Sequence, residues 1–393
     1  MLESMKGASL VPNGKRKPEL GLLSRLYEEL YKPFVGREEE AKVLVLSLVS
    51  GEHSILIGEP GTAKSALARR LASLIEARFF KYLLTKFTEP GELLGPLDIA
   101  ALKEGVYRRI TEGKLPTSQI AFLDEVFNAS SAVLNSLLSL LQERVIYDGY
   151  GELRTNVWTI IGASNNIPSE PELEALYDRF LYRHFVKPVE PELLGRLLDS
   201  AWMVEKEGYL SSEPIATLND IIYIYNNLLF NVKINNIKSK LIKLFLVLEE
   251  KGIHLTDRRK GKTLKAVAAH ALLRGETTAD IQDLIVLRYI APRDEDDLEK
   301  VNVILFEELK TKERILFELN EIMGNLEKIE ADIGRLQPFD PRLVDYYKVL
   351  KELKGKVVAL SSDAEDEGVI SRASEVLGKI EDLINNIMIK LNM

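Results

Sequence analysis

The chain has 393 residues, 60 acidic and 52 basic side chains, a net charge of −8 and no cysteine, which excludes disulfide frameworks, zinc ribbons, iron–sulfur clusters and thiol catalysis. No apolar run approaches the roughly 18 residues of a membrane-spanning helix, and the N-terminus has no apolar signal core, so the chain reads as soluble and cytoplasmic. The length predicts two or three domains, and the net acidity argues against a general nucleic-acid binder, whose phosphate contacts need clustered Lys and Arg.

Residues 1–20 are polar, carry KRK at 15–17 and read as a solvated N-terminal arm. Between about residues 54 and 186, short apolar runs alternate with amphipathic stretches. SILIG, FFKYLL, IAFLD, VWTIIGAS and YRHFV are the predicted strands. Strands alternating with helices build a parallel α/β sheet, placed here at 21–187. No strand signal remains from 188 to 292, where LIKLFLVLEE and TLKAVAAHALLRG have helical periodicity. A helical domain is therefore expected at 188–293.

The tail, 294–393, holds 23 acidic and 14 basic residues, so the acidic excess of the chain lies there. Ile315, Leu319, Ile322, Leu326, Ile329, Ile333 and Leu336 recur at alternating spacings of four and three, a heptad seam. QPFDP at 337–341 breaks it, because proline cannot continue a helix. A second seam runs through Leu343, Tyr347, Leu350, Leu353, Val357 and Leu360. SSDAEDEG at 361–368 reads as a loop, and a third helix is expected from about 370 to 391. Three such helices predict an antiparallel bundle or coiled coil. The first, of about 38 residues from Glu299, would reach ~57 Å.

The chemistry concentrates after the first strand, where SILIG leads into GEPGTAKS at 58–65. This is the P-loop spacing, GxxxxGK(S/T), with Ala63 in place of the second glycine. The predicted phosphate cradle comprises Gly58, Glu59, Pro60, Gly61, Thr62, Ala63, Lys64 and Ser65, with Ala66 entering the helix. Backbone N–H groups there form an anion nest at a helix N-terminus. Lys64 reaches the outer phosphates of ATP, and the Ser65 hydroxyl ligates Mg²⁺. Farther on, IAFLDE ends an apolar strand on Asp124 and Glu125. Asp124 is expected to hold Mg²⁺ and Glu125 to polarise the attacking water.

On these residues the chain resembles the MoxR family of AAA+ ATPases, and within it the RavA-like branch. The matching stretches are FVGREEE at 34–40, GEPGTAKS, TKFTEPGELLGPLD at 85–98, AFLDEVFNASSAVLNSLLSLLQER at 121–144, GASNNIP at 162–168, LYDRFLYR at 176–183 and TDRRKGK at 256–262. The last departs from the family, where an aromatic usually follows the two arginines. The resemblance implies an AAA+ α/β domain with a helical lid and a ring, usually hexameric, holding ATP between subunits. It makes Asn165 the sensor-1 residue and Arg179 the arginine finger, with Arg183 as rival. Arg258 becomes the lid's sensor-2 arginine, with Arg259 as rival. Phe34, Val35 and Gly36 would line the adenine.

PLDIAALKEGVYRRITEGKLP at 96–116 reads as a hairpin turning at 103–105, and VIYDGYGELR at 145–154 as a second one. The resemblance turns both toward the pore or a substrate. The four histidines show no ligand spacing, so no metal beyond Mg²⁺ is expected. The implied function is ATP-driven, chaperone-like remodelling of a partner complex, with a von Willebrand factor A (vWA) domain protein as associate. A ring-shaped nucleic-acid motor is the alternative, kept open by Arg108, Arg109 and KRK at 15–17. A scaffold that binds ATP without turnover is a third reading, disfavoured by an intact Glu125 and Arg179.

Overall fold

The computed structural model describes residues 21–147, 151–210, 212–309, 312–361 and 367–391. The expected arm at 1–20 and residues 362–366 of the polar loop lie outside them. The chain divides into two compact units, one ending at Val301 and one beginning at Asn302.

Helices α1 (Gly21–Tyr31) and α2 (Glu38–Ser50) precede strand β1 (Ser54–Ile57), which leads into α3 (Lys64–Leu74). Strand β2 (Phe79–Leu83), short helices α4 (Pro90–Leu94) and α5 (Ile99–Lys103), strand β3 (Ile120–Asp124) and helix α6 (Ser131–Glu143) follow. A hairpin of β4 (Val145–Tyr147) and β5 (Glu152–Arg154) leads to β6 (Thr159–Ser164), α7 (Pro171–Tyr177) and β7 (Tyr182–Phe185). All five expected strands form, in one parallel sheet of order β2-β3-β6-β1-β7. Strands β1 and β6 are buried along their whole length, as unbroken apolar runs of a two-sided parallel sheet should be. Gly162 is required inside β6, because a Cβ there would meet the Phe180 ring at 2.9 Å. Val157 and Trp158 precede β6, and the Trp158 indole N–H donates to Leu48 O at 2.8 Å.

His53 sits buried at the start of β1. Its Nδ1 accepts from the Ile160 N–H at 3.0 Å, so the ring proton is on Nε2, which donates to Leu141 O at 3.1 Å. Burial, and next the Arg144 charge, push its pKa well below 6.5. Stability from this group is thus complete above pH 6.5 and declines as pH falls below it, where the unfolded chain takes a proton that the folded ring refuses. Melting temperatures taken from about pH 7.5 to about pH 5 should fall faster for the parent than for His53→Gln. Equal slopes would show that His53 does not set the acid sensitivity.

The helices α8 (Leu194–Glu207), α9 (Leu218–Asn227), α10 (Lys238–Glu250), α11 (Asp257–Leu273), α12 (Leu287–Ile290) and α13 (Glu295–Glu308) follow. Residues 188–292 form no strand among the described residues, as expected. Helix α11 packs on α2. Burial alone would raise the Glu52 carboxyl, but Lys265 and Lys262 hold it below the usual range, with Lys262 at 2.7 Å. Leu298 packs on the sheet core.

The second unit holds α14 (Lys312–Arg335), α15 (Arg342–Ser361) and α16 (Glu367–Leu391). Leu319, Leu326, Leu343, Leu350 and Val357 are buried between them, as the seams predict. Lys390 Nζ donates to the carbonyls of Ile333 and Leu336, so α16 runs parallel to α14. Lys354 pairs with Glu381 and Lys356 with Glu318, which fits an antiparallel α15. The expected helix of about 38 residues from Glu299 is not continuous. Helix α13 ends at Glu308 and α14 starts at Lys312, giving α14 a length of ~36 Å. Between Leu305 and Ile315 the seam spacing falls on the charged residues Glu308 and Lys312, which interrupt the apolar stripe of the sequence.

The insert at 96–116 also differs from expectation. Its turn carries α5, capped by Asp98, whose side chain accepts from the N–H groups of Ala100 and Ala101. An Asp cap ahead of IAALK favours helix over strand. Pairing is reduced to one antiparallel bridge, Leu97 with Arg109. The second hairpin forms as read, with residues 148–150 outside the described residues.

Candidate functional site

The sheet order assembles the site. Ile57 pairs with Ser164 across β1 and β6, and the Gly58 N–H donates to Ser164 O at 3.0 Å. Leu123 pairs with Gly162 across β3 and β6. The loop after β1, Asn165 after β6 and Asp124 at the end of β3 thus share the C-terminal edge of the sheet, where α/β sheets bind ligands.

Gly58 has φ 153°, and a Cβ on it would lie 2.4 Å from Val186 O, so only glycine fits. Gly61 has φ 84°. Ala63 adopts the left-handed region, φ 63° and ψ 11°, at a cost of about 1 kcal/mol, so the loop keeps the glycine geometry with alanine. Lys64 opens α3, and its Nζ donates to Gly58 O at 2.6 Å and Glu59 O at 2.7 Å. Burial lowers the Lys64 pKa, while the carboxylates of Asp124 and Glu125 oppose that shift. Glu59, Pro60 and Gly61 are exposed, Thr62 is buried, and Ser65 and Ala66 are half-buried at the first turn of α3.

Glu125 is also left-handed, at φ 50°. Its Oε1 accepts from Asn165 Nδ2 at 2.8 Å and its Oε2 from Asn128 Nδ2 at 3.3 Å. Two amides therefore orient one carboxylate. Asn128 was not among the expected residues, although its i+3 spacing from Glu125 is visible in EVFN. The donors near the loop, Ser65 hydroxyl and Asp124 carboxylate, are hard oxygens that suit Mg²⁺. No group of three or more His, Cys, Asp or Glu that could hold a metal occurs among the described residues. Such a set fits a Mg²⁺ that keeps waters and phosphate oxygens among its ligands.

Phe34, Val35 and Gly36 lie half-buried beside the segment leading into α8. The Phe34 ring is 5.8 Å from that of Tyr209, and a Cβ on Gly36 would face Leu193 at 3.6 Å and Val189 at 3.7 Å. Val189, Leu193 and Tyr209 carry no sequence signal that would have singled them out.

The arginines occupy the other edge. Ser54 pairs with Tyr182 across β1 and β7, so Arg179 precedes the N-terminal end of β7. The length of β1 alone separates it from the P-loop edge by about 10 Å. Arg179 donates to Ala175 O at 2.6 Å and Gln142 Oε1 at 3.2 Å. Exposed Arg258 reaches the same Gln142 oxygen at 3.5 Å and Asp178 at 3.5 Å. Burial, then the Arg258 charge, lowers the Arg179 pKa. The two rivals are committed elsewhere. Buried Arg183 donates to Pro292 O and Tyr177 O and lies 3.8 Å over the Tyr177 ring. Buried Arg259 donates to Phe180 O at 2.9 Å, Leu181 O at 3.1 Å and Ile290 O. The inserts meet at an open cleft of about 330 Å³, lined by Tyr107, Arg108, Arg109 and Thr111 on one side and Gly151, Glu152 and Leu153 on the other.

Residues 22–226 match the family model for the MoxR domain in the MoxR-vWA-beta-propeller ternary systems, and residues 231–305 match an AAA lid domain. An uncharacterized protein of Methanocaldococcus jannaschii is 38% identical over 373 residues, 93% of this chain and 96% of its own. Chaperone MoxR1 of Mycobacterium tuberculosis is 26% identical over 178 residues, 44% of this chain and 46% of that protein. A crystal structure from Cytophaga hutchinsonii, assigned as an ATPase, shares the fold with a TM-score of 0.60 at 20% identity, over 73% of this chain and 94% of its own.

Proposed function

The chain belongs to the MoxR family of AAA+ ATPases, and from that premise we propose that it hydrolyses ATP at a site shared between two copies and uses the cycle to remodel a partner protein. One observation carries the shared site. Arg179 stands on the opposite edge of the sheet from its own P-loop, so its guanidinium serves a nucleotide on another copy. The commitment of Arg183 and Arg259 to backbone carbonyls supports Arg179 and Arg258 as the available cations.

In this reading, N–H groups of residues 61–65 cradle the phosphates, and Lys64 exchanges its loop carbonyls for phosphate oxygens. Ser65 and Asp124 hold Mg²⁺, which supplies charge neutralisation on the phosphates when bound. Glu125, held by Asn165 and Asn128, accepts the proton of the attacking water. Asn165 thereby couples the end of β6 to the state of the base. Arg179 of a second copy stabilises the transition-state charge. Phe34, Val35 and Gly36 flank the adenine, and Arg258 joins lid and α/β domain through Gln142 and Asp178.

A hexameric ring in the cytoplasm is the assembly we propose, in the RavA-like branch on the motif resemblance. No helix among the described residues is long and apolar enough to cross a membrane. The family model's name supports a vWA-domain protein as partner. A Glu125→Gln chain, loaded with ATP and cross-linked, should retain such a protein, whereas Lys64→Ala should not. ATPase stimulation by DNA, falling steeply with salt, would overturn the remodelling reading in favour of the nucleic-acid motor.

A further inference from the structure

Helix α8 turns an apolar pole to solvent. Its half-buried side is made by Leu197, Ser200 and Val204. Leu198 and Trp202 stand on the other side, one turn apart, 71% and 76% exposed, and none of the fourteen residues of α8 is buried. Two large apolar side chains stacked at the solvent pole of one helix mark an interaction surface, and tryptophan is a preferred interface anchor.

The helix is tied to the nucleotide side of the molecule. Ser200 Oγ donates to Pro33 O at 2.8 Å, next to the segment proposed to flank the adenine. Just beyond its end, Tyr209 O and Ser212 Oγ accept from Arg70 of α3, the helix that the P-loop opens. In the shared-site reading, the cation that completes the site on this side is Arg179 of another copy, which closes over it. The helix whose solvent pole carries Leu198 and Trp202 is thus anchored to residue 33 and, through its C-terminal end, to α3.

We propose that Leu198 and Trp202 seat a second copy of this chain, the one whose Arg179 enters the site. The proposal rests on the shared-site ATPase reading above. The contact is heterologous, with α8 and the P-loop on the receiving face and Arg179 on the giving face.

Trp202→Glu in the full chain tests it, with Leu198→Glu as the second variant. Both should keep the parent's melting temperature, since neither side chain is buried. Both should weaken assembly at least about 30-fold by light scattering in ATP, the loss expected of an anchoring residue, and lose turnover with it. Direction is the sharper readout. Trp202→Glu subunits keep a sound finger, so turnover should return on mixing with Arg179→Ala subunits, whose receiving face is intact. Mixing with Lys64→Ala should restore nothing, because both defects lie on the receiving face. Normal assembly and turnover of both α8 variants would overturn the proposal, and if melting alone were lowered the strip is covered from within the chain. Recovery with Lys64→Ala but not with Arg179→Ala would also overturn it. The pair Lys64→Ala with Arg179→Ala tests the underlying reading separately. Failure of that pair to recover rejects the shared site, whereas its recovery beside unaffected α8 variants rejects only the role of α8.

Discussion

Arg179→Ala is expected to lower ATP turnover by about 10³–10⁵-fold, the usual effect of removing a finger arginine. ATP affinity should stay near the parent value, because the residue lies across the sheet from its own P-loop. Stability should change little, since the side chain is half-buried and its contacts are Gln142 and one helix carbonyl. A mixing experiment separates the finger from a local role. Lys64→Ala subunits retain the finger, and Arg179→Ala subunits retain the P-loop, so mixed rings contain interfaces with both. Part of the turnover should return. If Arg179 only tied α7 to α6, each subunit would be defective by itself and none would return. Absence of recovery, with co-assembly verified by light scattering, would reject the assignment. The next candidate is then Arg258, which shares the Gln142 oxygen, rather than Arg183, whose guanidinium is buried against backbone carbonyls and Tyr177.

Glu125→Gln should bind ATP with near-parent affinity and turn it over about 10²–10⁴-fold more slowly, the range for loss of a general base. Lys64, Ser65 and Asp124 are untouched by the change. The glutamine amide keeps one oxygen for Asn165 or Asn128 but cannot take the proton from water. Both asparagines donate to the carboxylate, so Asn165→Ala should give a smaller loss, through a base less firmly oriented. Single-turnover rates beside ATP titrations separate the two effects. Turnover of Glu125→Gln within about twofold of the parent would mean that another group activates the water.

Local chemistry was legible in the sequence because its physics is local. Residues 58–66 are consecutive, and a glycine-rich turn running into a helix makes an anion nest wherever it occurs. Even the departure at Ala63 could be anticipated, since the question was only whether alanine would take left-handed angles, and it does. The apolar runs announced all five strands, and the heptad seams announced the bundle core, because burial on one face imposes a period on the residues themselves. The family was carried by motifs. Elsewhere local rules misled: the Asp98 cap made a helix where a hairpin turn was read, and polar seam positions ended a helix read as continuous.

Only the tertiary structure decided what depends on residues far apart in the chain. Insertion of β6 between β1 and β3 brings the Asn165 amide to Glu125 across 40 positions, and no local pattern encodes strand order. Neighbouring arginines were indistinguishable in YDRFLYR and TDRRKGK, because charge and spacing are the same for each. Burial separates them: Arg183 and Arg259 satisfy backbone carbonyls inside the fold, while Arg258 is exposed and Arg179 is only half-buried at the sheet edge opposite the P-loop. That opposition is what supports the proposed site shared between two copies, because a side chain cannot reach around its own sheet.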